Sequence, residues 1–341
     1  MRKSFIYTIC FLTCVISCQE TDSFIINDEE IILNNDELKW REEQNIWIYS
    51  QMKEHYFWNE GLGDSLSYDY SLEPSKFFES MLVDEDRFSY CFYNEEYIPS
   101  TKGYNLNETV SIDTVFVYNN SFRNRKIGYF VYDAFQSEAD VTDVILKFNR
   151  NRINDLIIDL RNNSGGSVAT CIHLSSLLSS VTFGKLFCTF RYNRNLTEKL
   201  YRETGNRYEP YYFKSDVTTK NRNLRLNRVF FLVNNRSASA SELIINCMKP
   251  YVKVITIGER TVGKDVGMYA IRGHRYKYVL EPITFRTYNS LGDSVPQTGI
   301  IPEILVADIG NKIVPSLDEP YIKAATNYID KTDYLEVQNL D

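Results

Sequence analysis

Three features of this 341-residue chain have the residue types that acyl-transfer chemistry needs: a serine in a run of small residues, a lysine downstream of it, and a pair of adjacent glycines upstream. The serine is Ser239, central in Asn234-Asn235-Arg236-Ser237-Ala238-Ser239-Ala240-Ser241-Glu242. Small side chains there let a substrate backbone approach. A hydroxyl at the head of a helix also has bare backbone N–H groups and the helix dipole beside it, both suited to a developing oxyanion. The same letters fit a purely structural device, because Ser239 to Glu242 reads as an S-x-x-E capping box. The glycines close the stretch Asp159-Leu160-Arg161-Asn162-Asn163-Ser164-Gly165-Gly166. Adjacent glycines permit positive φ and can present N–H donors to negative charge, although a plain strand-to-helix turn looks the same.

The base that would activate a serine is the sharper question. The chain has three histidines, His55, His173 and His274. The first two sit in helix-like segments and the third in a basic strand-like one, and none has a recognisable acidic partner. A lysine can serve if it is neutral, which at pH 7 costs roughly 4 to 5 kcal/mol that burial can offset. Lys264 follows Val262-Gly263 in a turn off the apolar run Val252 to Ile257. Gly258 to Lys264 also satisfies the first seven positions of a phosphate-binding loop. The eighth must be Ser or Thr to hold magnesium and is Asp265, and no helix opens there, so nucleotide binding is set aside.

These residues must be positioned by elements that the hydrophobic pattern outlines. Apolar residues at helical spacing run from Leu38 to Phe57, and a second helix is predicted over Pro74–Leu82 with Ser71 or Ser75 as its cap. Residues 84–126 lose periodicity apart from a strand-like run over Val110–Tyr118. Strands are then predicted over 127–132, 155–160, 229–233 and 252–257, alternating with helices over 139–149, 168–178 and 241–248. That alternation implies an α/β fold, a parallel-containing sheet with helices packed on it. Both special turns fall just past the ends of buried strands, where sites in such sheets collect.

Composition narrows the partners. Net charge is −7 and the basic residues are scattered, so no nucleic-acid partner is expected. No cysteine or histidine spacing suits a metal, and no cofactor is expected. Of seven cysteines, Cys91, Cys171, Cys188 and Cys247 lie outside the first eighteen residues, with Cys171 and Cys247 among apolar neighbours. Arg2 and Lys3 followed by the apolar run Phe5 to Ile16 form a secretory signal, too short to span a bilayer, which takes about 20 residues. Val15-Ile16-Ser17-Cys18 resembles a bacterial lipobox, so Cys18 would be the lipid-modified first residue of an envelope protein facing periplasm or exterior.

Taken together, the Asp159 to Gly166 stretch, the Ser237 to Glu242 run, Gly258-Glu259 and Gly263-Lys264 resemble the tail-specific, or C-terminal processing, serine peptidases. In that family a lysine follows the nucleophile by 25 residues, as Lys264 follows Ser239. The likeness runs from about Lys126 to Ile329 through Leu280-Glu281-Pro282-Ile283-Thr284-Phe285, Gly299-Ile300-Ile301-Pro302-Glu303 and Asp318-Glu319-Pro320. It implies a crotonase-like core of repeated β-β-α units behind a small N-terminal helical domain. It also implies hydrolysis of peptide bonds in exported polypeptides, with Ser239 as nucleophile, Lys264 as base, and the N–H groups of Gly165 and Ala240 as oxyanion hole. The expected organisation is a signal peptide (1–17), a tether (18–37), a helical domain (38–100), a connector (101–125), the peptidase core (126–332) and a tail (333–341). Two departures stand out. Only about 40 residues separate Phe88 from Ile127, too few for the PDZ module many relatives carry. Some members also orient the lysine with a glutamine four residues on, and here that residue is Met268. The alternatives are a catalytically silent protein binding peptides or apolar ligands on the same fold, and an assembly partner docking through its N-terminal helices.

Overall fold

The computed structural model of the chain describes residues 35–94, 115–120, 125–215, 223–273, 275–307 and 316–338. The apolar leader, Cys18 and His274 lie outside them. Helix α1 (Asn35–His55) buries Gln44, Asn45, Ile48 and Met52 on one stripe, as its spacing predicts. Helix α2 (Pro74–Glu79) begins at a proline, which has no N–H to lose in a first turn. Its cap is Glu73 and neither predicted serine: the carboxylate accepts from Ser75 N at 3.0 Å and Lys76 N at 3.3 Å, satisfying two donors at once. Phe77, Phe78 and Met81 close on Ile48, Met52 and Tyr56 to form a small core.

After α2 come β1 (Tyr90–Tyr93), β2 (Val115–Asn120), β3 (Arg125–Val131), α3 (Glu138–Asn151), β4 (Asp155–Asp159) and α4 (Val168–Leu178). Next are β5 (Leu186–Tyr192), α5 (Arg194–Thr204), β6 (Glu209–Tyr212), β7 (Arg228–Val233), α6 (Ala240–Met248) and β8 (Lys253–Gly258). The chain ends with β9 (Val266–Met268), β10 (Ile271–Arg272), β11 (Tyr278–Glu281), β12 (Ile283–Asn289), β13 (Ile304–Leu305) and α7 (Pro320–Gln338). The main sheet has the order β13-β8-β7-β4-β3-β2. All its pairs are parallel except β2 with β3. Both faces are covered, so the central strands read as unbroken apolar runs with alternate residues serving opposite sides. Leu156, Ile158, Val229 and Phe231 pack toward α3, α4 and α6. Ile157, Phe230, Leu232, Ile255 and Ile257 pack toward α7.

Two antiparallel sheets complete the molecule, in the orders β6-β5-β12-β9 and β1-β11-β10. Periodicity did not outline them, because β9 and β10 are three and two residues long and the pairings of β5 and β12 contain register shifts. Strands β11 and β12 are separated only by Pro282, so one segment crosses between the sheets. At that crossing Phe57 N donates to Ile283 O at 2.7 Å, which stitches the N-terminal helices to the core. Among the described residues no helix is long and apolar enough to cross a membrane.

Candidate active site

The two special turns pack against each other. Leaving β4, the chain takes positive φ at Asn162 (65°), Gly165 (111°) and Gly166 (135°). Asn163, fully buried, holds this turn: its Nδ2 donates to Tyr132 O at 2.7 Å and its Oδ1 accepts Gly165 N–H at 2.8 Å. Its carbonyl accepts from Ala238 N at 3.1 Å and Ser241 Oγ at 2.9 Å, both in the serine-rich turn. A Cβ at position 165 would stand 2.7 Å from Ser239 Cβ and 2.9 Å from Ala240 N, so only glycine permits this approach.

Ser239 precedes the first residue of α6 with φ 55° and ψ −116°. An ordinary N-cap residue has extended backbone, and a non-glycine residue held at positive φ outside the left-handed helical well is strained. The surrounding fold imposes this conformation at the strand-to-helix turn, where Ser239 is half-buried. The capping box that the sequence suggests between Ser239 and Glu242 is also present here. Ala240 N–H, the first of α6, makes no hydrogen bond among the described residues. Gly165 N–H, the other expected oxyanion donor, is engaged by Asn163 in this structure.

Glu242 is where sequence reasoning saw too little. Read there as a cap partner, its fully buried carboxylate in fact joins both predicted catalytic residues through their backbones. Oε2 accepts Ser239 N–H at 3.1 Å and Lys264 N–H at 2.8 Å. Oε1 accepts Gly263 N–H at 2.7 Å and the Thr261 hydroxyl. Burial raises the carboxyl's pKa and these four donors oppose the rise. Every partner donates, the arrangement an ionised carboxylate requires. No sequence spacing announces a contact between α6 and a loop some twenty residues on.

Lys264 leaves that loop half-buried. Burial lowers its pKa, against the upward pull of Glu281, Asp86 and Glu242. Gly263 at φ 84° shapes the turn, and a Cβ there would meet Gln297 O at 2.2 Å. Among the described residues no hydrogen bond joins Ser239 Oγ to Lys264 Nζ. Asp265, next along, pairs with Arg286 at 2.9 Å. The loop leads into β9 and not a helix, so the phosphate-loop likeness has no helix N-terminus behind it. His55 lies 3.9 Å from Glu54, and His173 faces Thr142 and Glu138, so both are occupied away from Ser239. Cys171, Cys188 and Cys247 are free and buried, and no group among the described residues could hold a metal ion.

Behind the site, Arg161 ties the glycine turn to the start of α7. It contacts Asp159 at 2.6 Å and Glu319 at 2.8 Å, and its guanidinium lies 4.4 Å from the centre of the Tyr321 ring. The Tyr129 hydroxyl donates to the same Asp159 carboxylate at 2.8 Å.

A mostly parallel α/β sheet flanked by helices, with two turns packed together past the ends of β4 and β7, is the frame that carries these residues. The chain belongs to peptidase family S41, whose model matches residues 126–306, and the model of the S41 N-terminal domain matches residues 43–90. It is 26% identical over 143 residues to a CtpA-like serine protease of Staphylococcus aureus, a match covering 41% of this chain and 25% of that protein. The matched part is thus about a quarter of the length of that relative. Among solved structures it is similar to an S41 protease from Bacteroides fragilis, with TM-score 0.69, 18% identity, and coverage of 84% of this chain and 97% of that one. It is also similar to a lipoprotein from Streptococcus agalactiae, with TM-score 0.51, 14% identity, and coverage of 78% and 92%. At these identities the two structures bear on the fold alone.

Proposed function

We propose that the protein is a serine endopeptidase that hydrolyses exported or envelope polypeptides through Ser239 and Lys264. The observation that carries this reading is Glu242, one buried carboxylate oxygen that accepts the backbone N–H groups of both residues. It holds the strained serine and the lysine in a fixed relation although they lie on different elements. In the first half-reaction Ser239 Oγ attacks the peptide carbonyl carbon while Lys264, as free amine, takes the hydroxyl proton. The tetrahedral oxyanion is met by Ala240 N–H, and by Gly165 N–H once it turns from Asn163. The C–N bond then breaks, Lys264 returns the proton to the leaving amine, and water repeats the cycle to release the acid. Hydrogen bonds of this kind are often long in an empty site and tighten with substrate bound, in keeping with an unjoined Ser239 and Lys264 here.

Digestion of a denatured test protein, read by mass spectrometry, tests the proposal. Ser239→Ala and Lys264→Ala should each abolish cleavage while keeping the native circular dichroism spectrum. Full activity in either variant would refute the dyad. The rival reading, a silent ligand-binding protein, draws support from Asn163 occupying Gly165 N–H; it predicts no products from the wild type. For the anchor, the Val15 to Cys18 motif supports lipidation at Cys18. Cys18→Ser should move the protein from the membrane to the soluble fraction, and unchanged retention would dispose of that assignment.

A further inference from the structure

The turn that ends the N-terminal helical region reaches the proposed base. Asp86 Oδ1 accepts the N–H groups of Phe88 and Ser89, each at 2.9 Å, which fixes the turn. Ser89 Oγ accepts Ile283 N–H at 2.7 Å and docks the turn on the core. Arg87 Nη2 donates to Gly263 O at 2.8 Å and to Gln297 O at 3.1 Å, so the residue just before Lys264 is gripped from the N-terminal side. Phe88 faces two cations: its ring centre lies 4.7 Å from Arg87 Cζ and 5.1 Å from Lys264 Nζ. Among the described residues Lys264 Nζ makes no hydrogen bond or ion pair, and this ring is its contact.

We infer that Phe88 is a positioning residue for the base, a wall contributed by the N-terminal region that keeps water from the Lys264 amine and holds it against the core. The inference rests on the Ser239/Lys264 reading. An aromatic ring acts on a lysine in two opposed ways. Its quadrupole attracts the ammonium form, whereas its bulk removes water and so favours the neutral amine. The charges facing Lys264 are Asp86 and Arg87 from the turn, Glu242 from α6 and Glu281 from the end of β11. The three carboxylates favour the ammonium, and burial still prevails over them. A side chain able to cover the amine without accepting its proton fits this balance, and a carboxylate or amide oxygen in its place would hold the proton on. The N-terminal region thereby becomes part of the reaction machinery.

The test compares Phe88→Ala with Phe88→Leu in the full chain by the pH dependence of kcat/KM on a denatured protein and by NMR titration of ε-13C-labelled lysine, with Lys264→Arg identifying the signal. In Phe88→Ala the acid limb of the rate profile and the NMR midpoint of Lys264 should rise together by about one pH unit. At pH 7 kcat should fall about tenfold with KM changed less than about twofold. Phe88→Leu, which keeps the cover, should stay near wild type in both. Wild-type midpoints in Phe88→Ala, in an enzyme that cleaves, would overturn the role of Phe88 and leave the dyad standing. A wild type no more active than Ser239→Ala would overturn the dyad itself and the catalytic meaning of Phe88 with it. Should Phe88→Ala fail to fold, Ser89→Ala removes the hydroxyl that docks the same turn on Ile283 N–H without changing any charge, and should raise both midpoints; no movement would overturn the inference.

Discussion

Ser239 holds a conformation that costs about 1–3 kcal/mol in a non-glycine residue. Ser239→Gly should therefore relieve strain that Ser239→Ala keeps, and chemical denaturation should find it more stable than Ser239→Ala by about 1 kcal/mol, with both inactive. Equal stabilities would mean that the backbone is unstrained. Lys264 makes a prediction with a definite sign. Its pKa is lowered by burial, so the folded state binds this proton less readily than the unfolded chain does. The charged lysine opposes folding below its lowered pKa, and that penalty disappears as pH rises toward the ordinary lysine value of about 10.4. The rate kcat/KM should climb through the same lowered pKa, because only the free amine can take the serine proton. In Lys264→Met the rise of stability with pH attributable to this group should vanish, which melting curves across the alkaline range would detect.

At the scale of elements, Glu242 couples the head of α6 to the loop between β8 and β9. Each carboxylate oxygen takes two donors. In Glu242→Gln one oxygen becomes an amide nitrogen that faces two donors, leaving them unpaired at a cost of about 2 kcal/mol or more. The expected result is a lower denaturation midpoint together with a fall in kcat of at least about tenfold, since the serine and lysine backbones are no longer tied. Full activity with unchanged stability would show that the carboxylate only fills space. Most helices and parallel strands were legible in the sequence because each has a long pattern of period 3.6 or an unbroken apolar run. The Glu73 cap and the β5, β6, β9 and β12 sheet were not. A carboxylate cap satisfies the same donors as a serine, and short strands with register shifts have no period to read.

Across the whole molecule, the C-terminal helix and the N-terminal helices both act on the site from a distance. Glu319, at the head of α7, pairs with Arg161 beneath the glycine turn. Glu319→Ala leaves that buried guanidinium with Asp159 alone, and the protein should lose about 3 kcal/mol of stability in denaturant titration. A loss below 1 kcal/mol would mean that the pair is as weak as one on the surface. The N-terminal helices share the β1–β11 pairing, the Phe57–Ile283 bond and a stack of Trp47 on Tyr276 at 4.6 Å with the core. All three tryptophans belong to that N-terminal region, Trp40 and Trp47 in α1 and Trp58 in the turn that follows it. Tryptophan emission should therefore change in the same thermal transition as the far-ultraviolet circular dichroism. Two separated transitions would show a domain that folds alone.

What the sequence by itself determined is local in origin. The apolar runs and helical stripes set the alternating strands and helices. The serine run, the glycine pair and the 25-residue spacing to Lys264 resemble the tail-specific, or C-terminal processing, peptidases. Tertiary structure decided everything that depends on distant residues meeting. It set Ser239 at φ 55°, a conformation that exists only when strand, helix and glycine turn are held together. It showed Gly165 N–H occupied by Asn163, a contact two residues long that depends on Asn163 being anchored to Tyr132. It also brought Phe88 over Lys264, across 176 positions of chain, because burial of a lysine is a property of what packs on it and no spacing encodes that.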